Sequence, residues 1–323
     1  TDGTGNTYQW YKNDEILVDE TLNTITVNNT EEAYYYCEVS NPSYPALVLT
    51  TEVALFNMTL NHGVLEDEYN ALVALYNSTN GENWNDNTNW LSEKPVSEWA
   101  RVSTQTVHVT DIYLSSNNLV GSIPSELGNL PNLETLDLGN NQLSGTIPAT
   151  LGGLSNLQDI SLQQNKLTGS IPAQLGNLSN LTYLCFWQNE LSGSIPSELG
   201  MLTNLTNLDL DENQLSGSIP KELSNLTNVN YFGMSFNQLS GSIPAELGNL
   251  TNVEIFYVRD NNLTGAIPAT FNSLTNLSSL YITNNAITDL PSLNAIPLQY
   301  LYLNYNAFTF GDLESTGIDF STV

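Results

Sequence analysis

One asparagine recurs at a constant spacing of 24 residues through more than half of the chain. The series begins at Asn117, and its later members are Asn141, Asn165, Asn189, Asn213, Asn237, Asn261 and Asn285, with Asn306 following after 21 residues. Leucine or another apolar residue stands at fixed offsets before each asparagine, which gives LxxLxLxxNxL nine times in one register. A period of this length is typical of repeat architectures in which each coil packs only against its neighbours.

The segment LxLxx of each repeat alternates between apolar and polar residues. This alternation predicts a short strand whose leucines face inward. The asparagine then turns the chain, and its amide can satisfy backbone groups that the turn leaves bare. Because one coil cannot bury its apolar side alone, stacked coils are expected to share one parallel sheet and one leucine core.

The second half of each repeat carries the signature SGxIPxxLGNL, for example LSGTIP at residues 143–148 and LSGSIP at residues 191–196. The glycine permits a bend that a Cβ would resist, and the proline marks an edge position. This pattern resembles the plant-type leucine-rich repeats of receptor-kinase ectodomains and polygalacturonase-inhibiting proteins. The resemblance covers about residues 109–290 and implies a mainly β, right-handed superhelical solenoid with a concave parallel sheet. Since SGxIP is lost after Asn285, the second sheet is expected to end near there.

The repeats at 109–308 are preceded by a segment, 58–108, that we interpret as their N-terminal cap. Apolar residues recur at helical spacing in its first half: Leu65, Tyr69, Leu72, Val73 and Leu75 or Tyr76. The run ALVALYNSTNGENWNDNTNWL resembles the N-terminal cap of secreted leucine-rich repeat proteins of bacteria and some algae. Trp84, Trp90 and Trp99 are therefore expected to form a capping core rather than a ligand site. Residues 309–323 are expected to form a partial cap or a connection.

Residues 1–57 carry a different pattern, with four expected strands in YQWYKNDEIL, TITV, EEAYYYCEVSN and ALVLTTEVALF. Trp10, followed at a distance by Tyr35-x-Cys37, resembles an immunoglobulin-like domain in which Trp10 lies on strand C, Tyr35 is the tyrosine-corner residue and Cys37 lies on strand F. The first strands of such a domain and the partner cysteine are absent, so a partial domain is expected. Cys37 and Cys185 lie in different modules and are not expected to pair.

The charge of the chain restricts its partners. The 34 acidic residues against 6 basic ones give a formal net charge of −28. Such a chain cannot replace the counterions of nucleic acid and is not attracted to anionic membranes. The sequence also contains no run of 18 apolar residues, so no membrane insertion is expected.

Four positions of each repeat, the third, fifth, seventh and eighth of LxxLxLxxN, are expected to face the concave surface. Over nine coils, ten of these 36 positions are aromatic and seven are acidic. Exposed aromatic residues rimmed by carboxylates normally mark a contact surface, although aromatic residues also favour strands as such. The middle coils concentrate them, and the candidate ligand-binding residues are Tyr183, Trp187, Asp209, Asp211, Glu212, Tyr231, Phe236, Tyr257 and Arg259.

Other chemistry is less favoured by the residues themselves. Asp209, Asp211 and Glu212 crowd together, but oxygen ligands on a rigid sheet are poorly arranged to surround calcium. A carboxylate-pair hydrolase using Asp209 or Asp211 would need one acid with a selectively raised pKa, which the sequence does not indicate, and a deep cleft. Cys185 has no histidine within the repeats to activate it.

The sequence therefore predicts a secreted or cell-surface recognition or adhesion module rather than an enzyme, with no cofactor or metal. Its concave face would bind an extracellular protein or polysaccharide ligand. A structural spacer in a large surface protein, a carbohydrate-active hydrolase and ice binding through the repetitive faces remain as alternatives.

Overall fold

The computed structural model describes residues 7–12, 15–16, 35–40, 48–50, 60–309 and 311–312. Contacts between Cα atoms divide the chain into two compact units, Thr1–Asn61 and His62–Val323. Apart from residues 309, 311 and 312, the expected C-terminal cap or connection lies outside the described residues.

The first unit contains an antiparallel sheet of four strands, Thr7–Lys12, Glu15–Ile16, Tyr35–Ser40 and Val48–Thr50, in the order second, first, third, fourth, with a further strand at Leu60–Asn61. Trp10 lies directly opposite Cys37 in the register of the two central strands, and both side chains are buried. The expected strand TITV and the first residues of the EEAYYYC segment, 31–34, lie outside the described residues, as does the side chain of Tyr35.

The second unit begins with the strand Val64–Leu65 and an α-helix, Glu66–Ser78, followed by 3-10 helices at Gly81–Asn83 and Val96–Glu98. The helix buries Leu72 and Leu75, as the helical spacing predicts, whereas Val73 is only half-buried. The buried Glu68 accepts a hydrogen bond from the backbone N–H of Val109 at 2.6 Å and thereby joins the helix to the first repeat.

The three tryptophans after the helix belong to the core. Trp84, Trp90 and Trp99 are at most 6% exposed, and their neighbouring ring centroids lie 4.8 and 5.0 Å apart. Each indole N–H donates to a backbone carbonyl: those of Thr79, Ala100 and Lys94 respectively. Burial with a satisfied N–H is the usual state of a packing tryptophan, so these residues do not present a ligand site.

A ten-stranded sheet, here called the main sheet, runs through the second unit. Nine of its strands pair in parallel and step forward by one repeat each: His108–Tyr113, Thr135–Asp137, Asp159–Ser161, Tyr183–Cys185, Asn207–Asp209, Tyr231–Gly233, Ile255–Tyr257, Ser279–Tyr281 and Tyr300–Tyr302. The strand Val102–Gln105 adds to the first of them in antiparallel orientation. The parallel strands alternate as the LxLxx pattern predicts, with Leu184 and Leu208 fully buried.

A second parallel sheet of eight strands is formed by Val120–Ser122, Gln142–Gly145, Lys166–Gly169, Glu190–Ser194, Gln214–Gly217, Gln238–Ser242, Asn262–Ala266 and Ala286–Asp289. The glycine of SGxIP has a positive φ, for example 81° at Gly193, which explains why glycine stands there. The expected end near Asn285 is one strand too early. The strand Ala286–Asp289 still pairs, with a register shift at Gly265/Ala266, although its own SGxIP is lost.

Seven short 3-10 helices follow the prolines: Ser125–Asn129, Ala149–Gly153, Ala173–Asn177, Ser197–Met201, Lys221–Asn225, Ala245–Asn249 and Ala269–Ser273. Between this side and the main sheet lies the continuous leucine core, in which Phe186, Phe232 and Phe256 replace leucine at zero exposure. None of the described helices has the length and hydropathy needed to cross a bilayer.

The recurring asparagine binds consecutive coils together. Asn213 is typical: its Oδ1 accepts the N–H of Leu191 at 3.0 Å, and its Nδ2 donates to the carbonyl of Phe186 at 3.0 Å, both in the preceding coil. The same Nδ2 lies 3.0 Å from the carbonyl of Asp211 in its own turn. The side chain therefore satisfies backbone groups that would otherwise be buried without partners.

Candidate ligand-binding face

The surface of the main sheet that points away from the leucine core is here called the main-sheet face. It is formed by the third, fifth, seventh and eighth positions of each coil, and equivalent positions of adjacent coils are neighbours. Tyr183 pairs with Asn207 and Cys185 with Asp209, and the N–H of Gln188 donates to the carbonyl of Asp211 at 3.0 Å. Parallel strands lie about 4.8 Å apart, so each column of this face forms a closely spaced row.

All nine candidate residues lie on the main-sheet face, but they differ in exposure. Phe236 and Arg259 are exposed, Asp211 is buried at 9% exposure, and the half-buried members are Tyr183, Trp187, Asp209, Glu212, Tyr231 and Tyr257. The expectation that these positions are simply outward and accessible is therefore incomplete. Side chains of adjacent coils cover parts of this face, so that Cys185 and Ser235 are also buried, at 4% and 1% exposure.

Tyr231 shows how such covering arises. A Cβ added to Gly233 would lie 2.7 Å from the Tyr231 ring and 3.0 Å from Oδ1 of Asp211. The ring of Tyr231 therefore folds over the glycine, and its hydroxyl donates to Oδ2 of Asp211 at 3.3 Å. The small residue that looked unremarkable in the sequence thus allows tyrosine and carboxylate to meet.

Asp209 and Asp211 are adjacent carboxylates at the centre of this face, and each accepts a backbone N–H. Oδ1 of Asp209 accepts the backbone N–H of Asp211 at 3.1 Å, and Oδ1 of Asp211 accepts the N–H of Ser235 in the next coil. The thiol of Cys185 lies 3.8 Å from Oδ2 of Asp209. Backbone donors hold both carboxylates in place without neutralising them.

The environment shifts the acidity of this pair. Burial, followed by the charge of Asp209, raises the pKa of Asp211 to about 7, and burial also raises the pKa of Asp209. Burial and the nearby Asp209 raise the pKa of the Cys185 thiol to about 12, so the thiol stays protonated and is not a nucleophile. The sequence indicates no acid with a raised pKa, and in this respect it is misleading, because the burial of Asp211 depends on contacts that the sequence does not show.

Four tyrosines form a continuous series of ring contacts across the last coils, here called the tyrosine ladder. Their centroids are 5.7 Å apart between Tyr231 and Tyr257, 4.3 Å between Tyr257 and Tyr281, and 4.5 Å between Tyr281 and Tyr302. Tyr281 and Tyr302 were not among the sequence candidates. Tyrosine at the fifth position of three successive coils, Tyr257, Tyr281 and Tyr302, was the signal that could have identified them. The candidates were chosen from the middle coils, and Tyr281 and Tyr302 lie after these.

Phe236 occupies a strained position. The eighth residue of all nine coils has a φ between 52° and 57°, a conformation that asparagine and aspartate tolerate better than a bulky side chain. Phe236 nevertheless stands there at 40% exposure, and the Arg259 guanidinium lies 4.6 Å above its ring centroid. Phe236 is therefore an exposed aromatic residue in a strained conformation, with a cation stacked on its ring.

The described residues contain no group of three or more His, Cys, Asp or Glu side chains placed to hold a metal ion. Asp209, Asp211 and Glu212 thus do not converge as calcium ligands would. What the face offers chemically is a row of aromatic rings beside ionisable carboxylates on an open sheet.

Comparison with protein families supports this description of the repeats. A family model described as a leucine-rich repeat region matches residues 107–223. Two further models, both described as leucine rich repeat, match residues 228–250 and 251–308. No curated protein matches the chain.

Solved structures of similar fold include receptor ectodomains. The leucine-rich repeat ectodomain of GASSHO1/SCHENGEN3 from Arabidopsis thaliana, in complex with CASPARIAN STRIP INTEGRITY FACTOR 2, is 36% identical over 75% of this chain and 30% of its own, with a TM-score of 0.71. That of the Arabidopsis receptor kinase HAESA, in complex with an IDA peptide hormone ligand, is 35% identical over 76% and 42%, with a TM-score of 0.65.

A plant ice-binding protein is 24% identical over 76% of this chain and 88% of its own, with a TM-score of 0.61, which shows a shared fold and nothing further. The chain spans less than half the length of the two receptor ectodomains. The family matches lead to the same assignment as the asparagine-bonded coils and the two sheets of stacked parallel strands: the chain is a leucine-rich repeat protein.

Proposed function

We propose that the main-sheet face, from the fourth coil to the ninth, binds an extended peptide or an exposed segment of a protein. The observation that carries this proposal is the continuity of its aromatic surface. Trp187 and Phe236 lie on the same face as the tyrosine ladder, and Tyr302 is 46% exposed at its far end. Aromatic side chains with few rotatable bonds are the residues that most often dominate binding energy at protein interfaces.

The similar receptor ectodomains support a peptide over a polysaccharide, because two of them were solved with a protein factor or a peptide hormone bound. A row of aromatic rings along successive strands also suits an extended chain. Enzymatic activity is not part of the proposal.

We further propose that the protein works outside the cell, secreted or displayed at a surface, as the receptor ectodomains support. We also propose that the repeats form a right-handed superhelix of the plant type. The proposed domains are residues 1–57, 58–108, 109–308 and 309–323. In the second of them, the helix Glu66–Ser78 and the tryptophans that follow it cap the first coil. The strand order of the first unit, with Trp10 opposite Cys37, supports strands C′, C, F and G of an immunoglobulin-like sheet.

The proposal is tested by selecting binders to the full chain from a displayed random-peptide library. Synthetic copies of the enriched peptides are then titrated against the wild type, Trp187→Ala and Tyr257→Ala. We expect each substitution to weaken binding by about tenfold or more, as truncation of an interface anchor does.

Ser115→Ala and Thr135→Ala, on the main-sheet face of the first two coils, serve as controls and should leave affinity unchanged. Peptides that bind all four variants equally would place the binding surface elsewhere. A glycan array that captures a defined sugar, while no peptide is enriched, would favour the polysaccharide ligand. Failure of both would favour a structural spacer.

A further inference from the structure

Asp211 is buried, and the adjacent Asp209 is half-buried. Within the part of the chain that the structure describes, no Lys or Arg nitrogen lies within ion-pair distance of either. Arg259, the one basic residue among the main-sheet-face positions of the nine coils, acts on Asp211 only from beyond ion-pair distance, because it lies over Phe236 with its Nε 4.0 Å from Asp260. Adjacent carboxylates that are partly withdrawn from water are costly unless a positive charge compensates them.

A second observation points to a ligand at the same place. The Oγ of Ser235 is buried in a residue that is 1% exposed, and it has no hydrogen-bond partner among the described residues. Ser235 occupies the seventh position of the coil that follows Asp211, and its backbone N–H donates a hydrogen bond to the Asp211 carboxylate. A buried hydroxyl left without a partner in a native structure normally requires an explanation such as a bound polar group.

Aromatic side chains flank the pair on both sides. Trp187 stands in the same column one coil before Asp211, and Tyr231 stands one coil after it, with its hydroxyl on Asp211. Aromatic rings and carboxylates together favour an ammonium or guanidinium group, because both attract a cation and the rings also receive its apolar stem.

We infer that Asp209 and Asp211, between Trp187 and Tyr231, form a subsite for one basic side chain of the ligand, with Ser235 as an additional acceptor. This inference rests on the proposed function and narrows it to a ligand that carries a lysine or arginine. The cation would supply a counter-charge at contact distance, which Arg259 does not, on an already fixed carboxylate pair, so little reorganisation is needed on binding.

The test uses the full chain and two synthetic probes. One is the peptide acetyl-GGKKGG-amide, which contains no tryptophan, and the other is the same peptide with both lysines acetylated. Binding is followed by tryptophan fluorescence, since Trp187 is half-buried while the other four tryptophans are at most 6% exposed. Asp209→Asn/Asp211→Asn removes two charges and retains amide oxygens that can accept the same backbone N–H groups.

Glu198→Gln/Glu222→Gln is the matched control, because it removes two charges from a groove on the side of the 3-10 helices. We expect the lysine peptide to bind the wild type and the control alike and the Asp209/Asp211 variant about tenfold more weakly or worse. The acetylated peptide should bind all three proteins equally weakly. Asp209→Asn alone, which leaves Asp211 intact, should show an intermediate loss and serves if the double variant does not fold.

Equal loss in both double variants would mean that only the net charge attracts the peptide, and the inference would be overturned. No binding of the lysine peptide to the wild type would overturn it as well. Library peptides that require Trp187 but no basic residue would contradict this subsite while leaving the proposed function intact.

Discussion

Side chains of one coil that are only a few residues apart have opposite environments, so single substitutions can separate stability from recognition. Leu184 is fully buried in the core, whereas Trp187, three residues later, is half-buried on the main-sheet face and lies outside the leucine core. The difference follows from the alternation of the strand and from the turn that begins at the eighth position.

Trp187→Ala is expected to lower the free energy of unfolding by about 1 kcal/mol at most, because part of its ring packs on adjacent coils. Leu184→Ala should cost about 2–5 kcal/mol, since it opens a cavity in a close-packed core. Denaturant unfolding of the two variants measures both values. A larger loss for Trp187→Ala than for Leu184→Ala would show that the tryptophan belongs to the core.

Phe236→Asn replaces a bulky residue at a φ of 53° with one that tolerates this conformation. We expect the melting temperature to stay the same or rise, because relief of strain of about 1 kcal/mol offsets the lost stacking with Arg259. Ligand affinity should fall. Thermal melting checks the first expectation, and a marked fall in melting temperature would show that the Phe236–Arg259 contact is mainly structural.

The Asp211 pKa predicts a pH dependence of stability. Its folded pKa of about 7 lies above the ordinary aspartate value of 3.8, so the folded chain binds the proton more tightly than the unfolded chain. Stability should therefore fall as the pH rises from about 4 to about 7, and change little from this group outside that window. Burial is the largest cause of the raised pKa and the charge of Asp209 adds to it, whereas the Ser235 N–H, the Tyr231 hydroxyl and the charge of Arg259 oppose it.

Melting temperatures of the wild type and Asp211→Asn between pH 5 and pH 8 test this expectation. The difference between the two proteins should be largest at pH 8, where the wild type carries the buried charge. Glu198→Gln, which removes an exposed carboxylate, is the control for net charge. A constant difference across the range would contradict the assignment to Asp211.

At the scale of the element, the asparagine ladder and the two sheets are the connections between coils. Each asparagine serves its own turn and the preceding coil at once, so the loss of one side chain affects two coils. Parallel strands of only three residues, such as Asn207–Asp209, would be weak alone, and the ladder adds hydrogen bonds that the short strands lack.

Asn213→Ala should therefore destabilise the protein by about 2–3 kcal/mol, because buried backbone groups of Leu191 and Phe186 lose their partners. Gln214→Ala, at the exposed neighbouring position, should change stability by less than about 0.5 kcal/mol. Chemical denaturation compares the two. Similar small effects would mean that water replaces the asparagine amide.

At the scale of the whole chain, the net charge of −28 opposes folding by self-repulsion. Raising NaCl from about 10 mM to about 300 mM should increase the melting temperature, because the Debye length shortens from about 30 Å to below 10 Å. A triple variant, Glu198→Gln/Glu222→Gln/Glu246→Gln, should show a smaller increase, since it removes like charges from successive coils. A salt response unchanged by this variant would contradict the repulsion argument.

The sequence by itself determined the repeat. Regular spacing of asparagine and leucine requires one register, and this register predicts parallel strands, an inward leucine core and the residues of the main-sheet face. The helix before the repeats and the burial of Trp84, Trp90 and Trp99 were also predictable, because their periodicity and size leave few alternatives to packing. These properties are local or repeat from coil to coil, so they can be predicted from the sequence pattern.

The tertiary structure decided what depends on contacts between coils. Gly233 makes room for Tyr231 to reach Asp211, and neighbouring side chains bury Asp211, Cys185 and Ser235 on a face that the pattern marks as outward. The second sheet gains the strand Ala286–Asp289 because pairing with the preceding coil outlasts the loss of SGxIP. The contacts that cover Asp211 come from residues 20 and 24 positions away, in the next coil, and no local pattern specifies them.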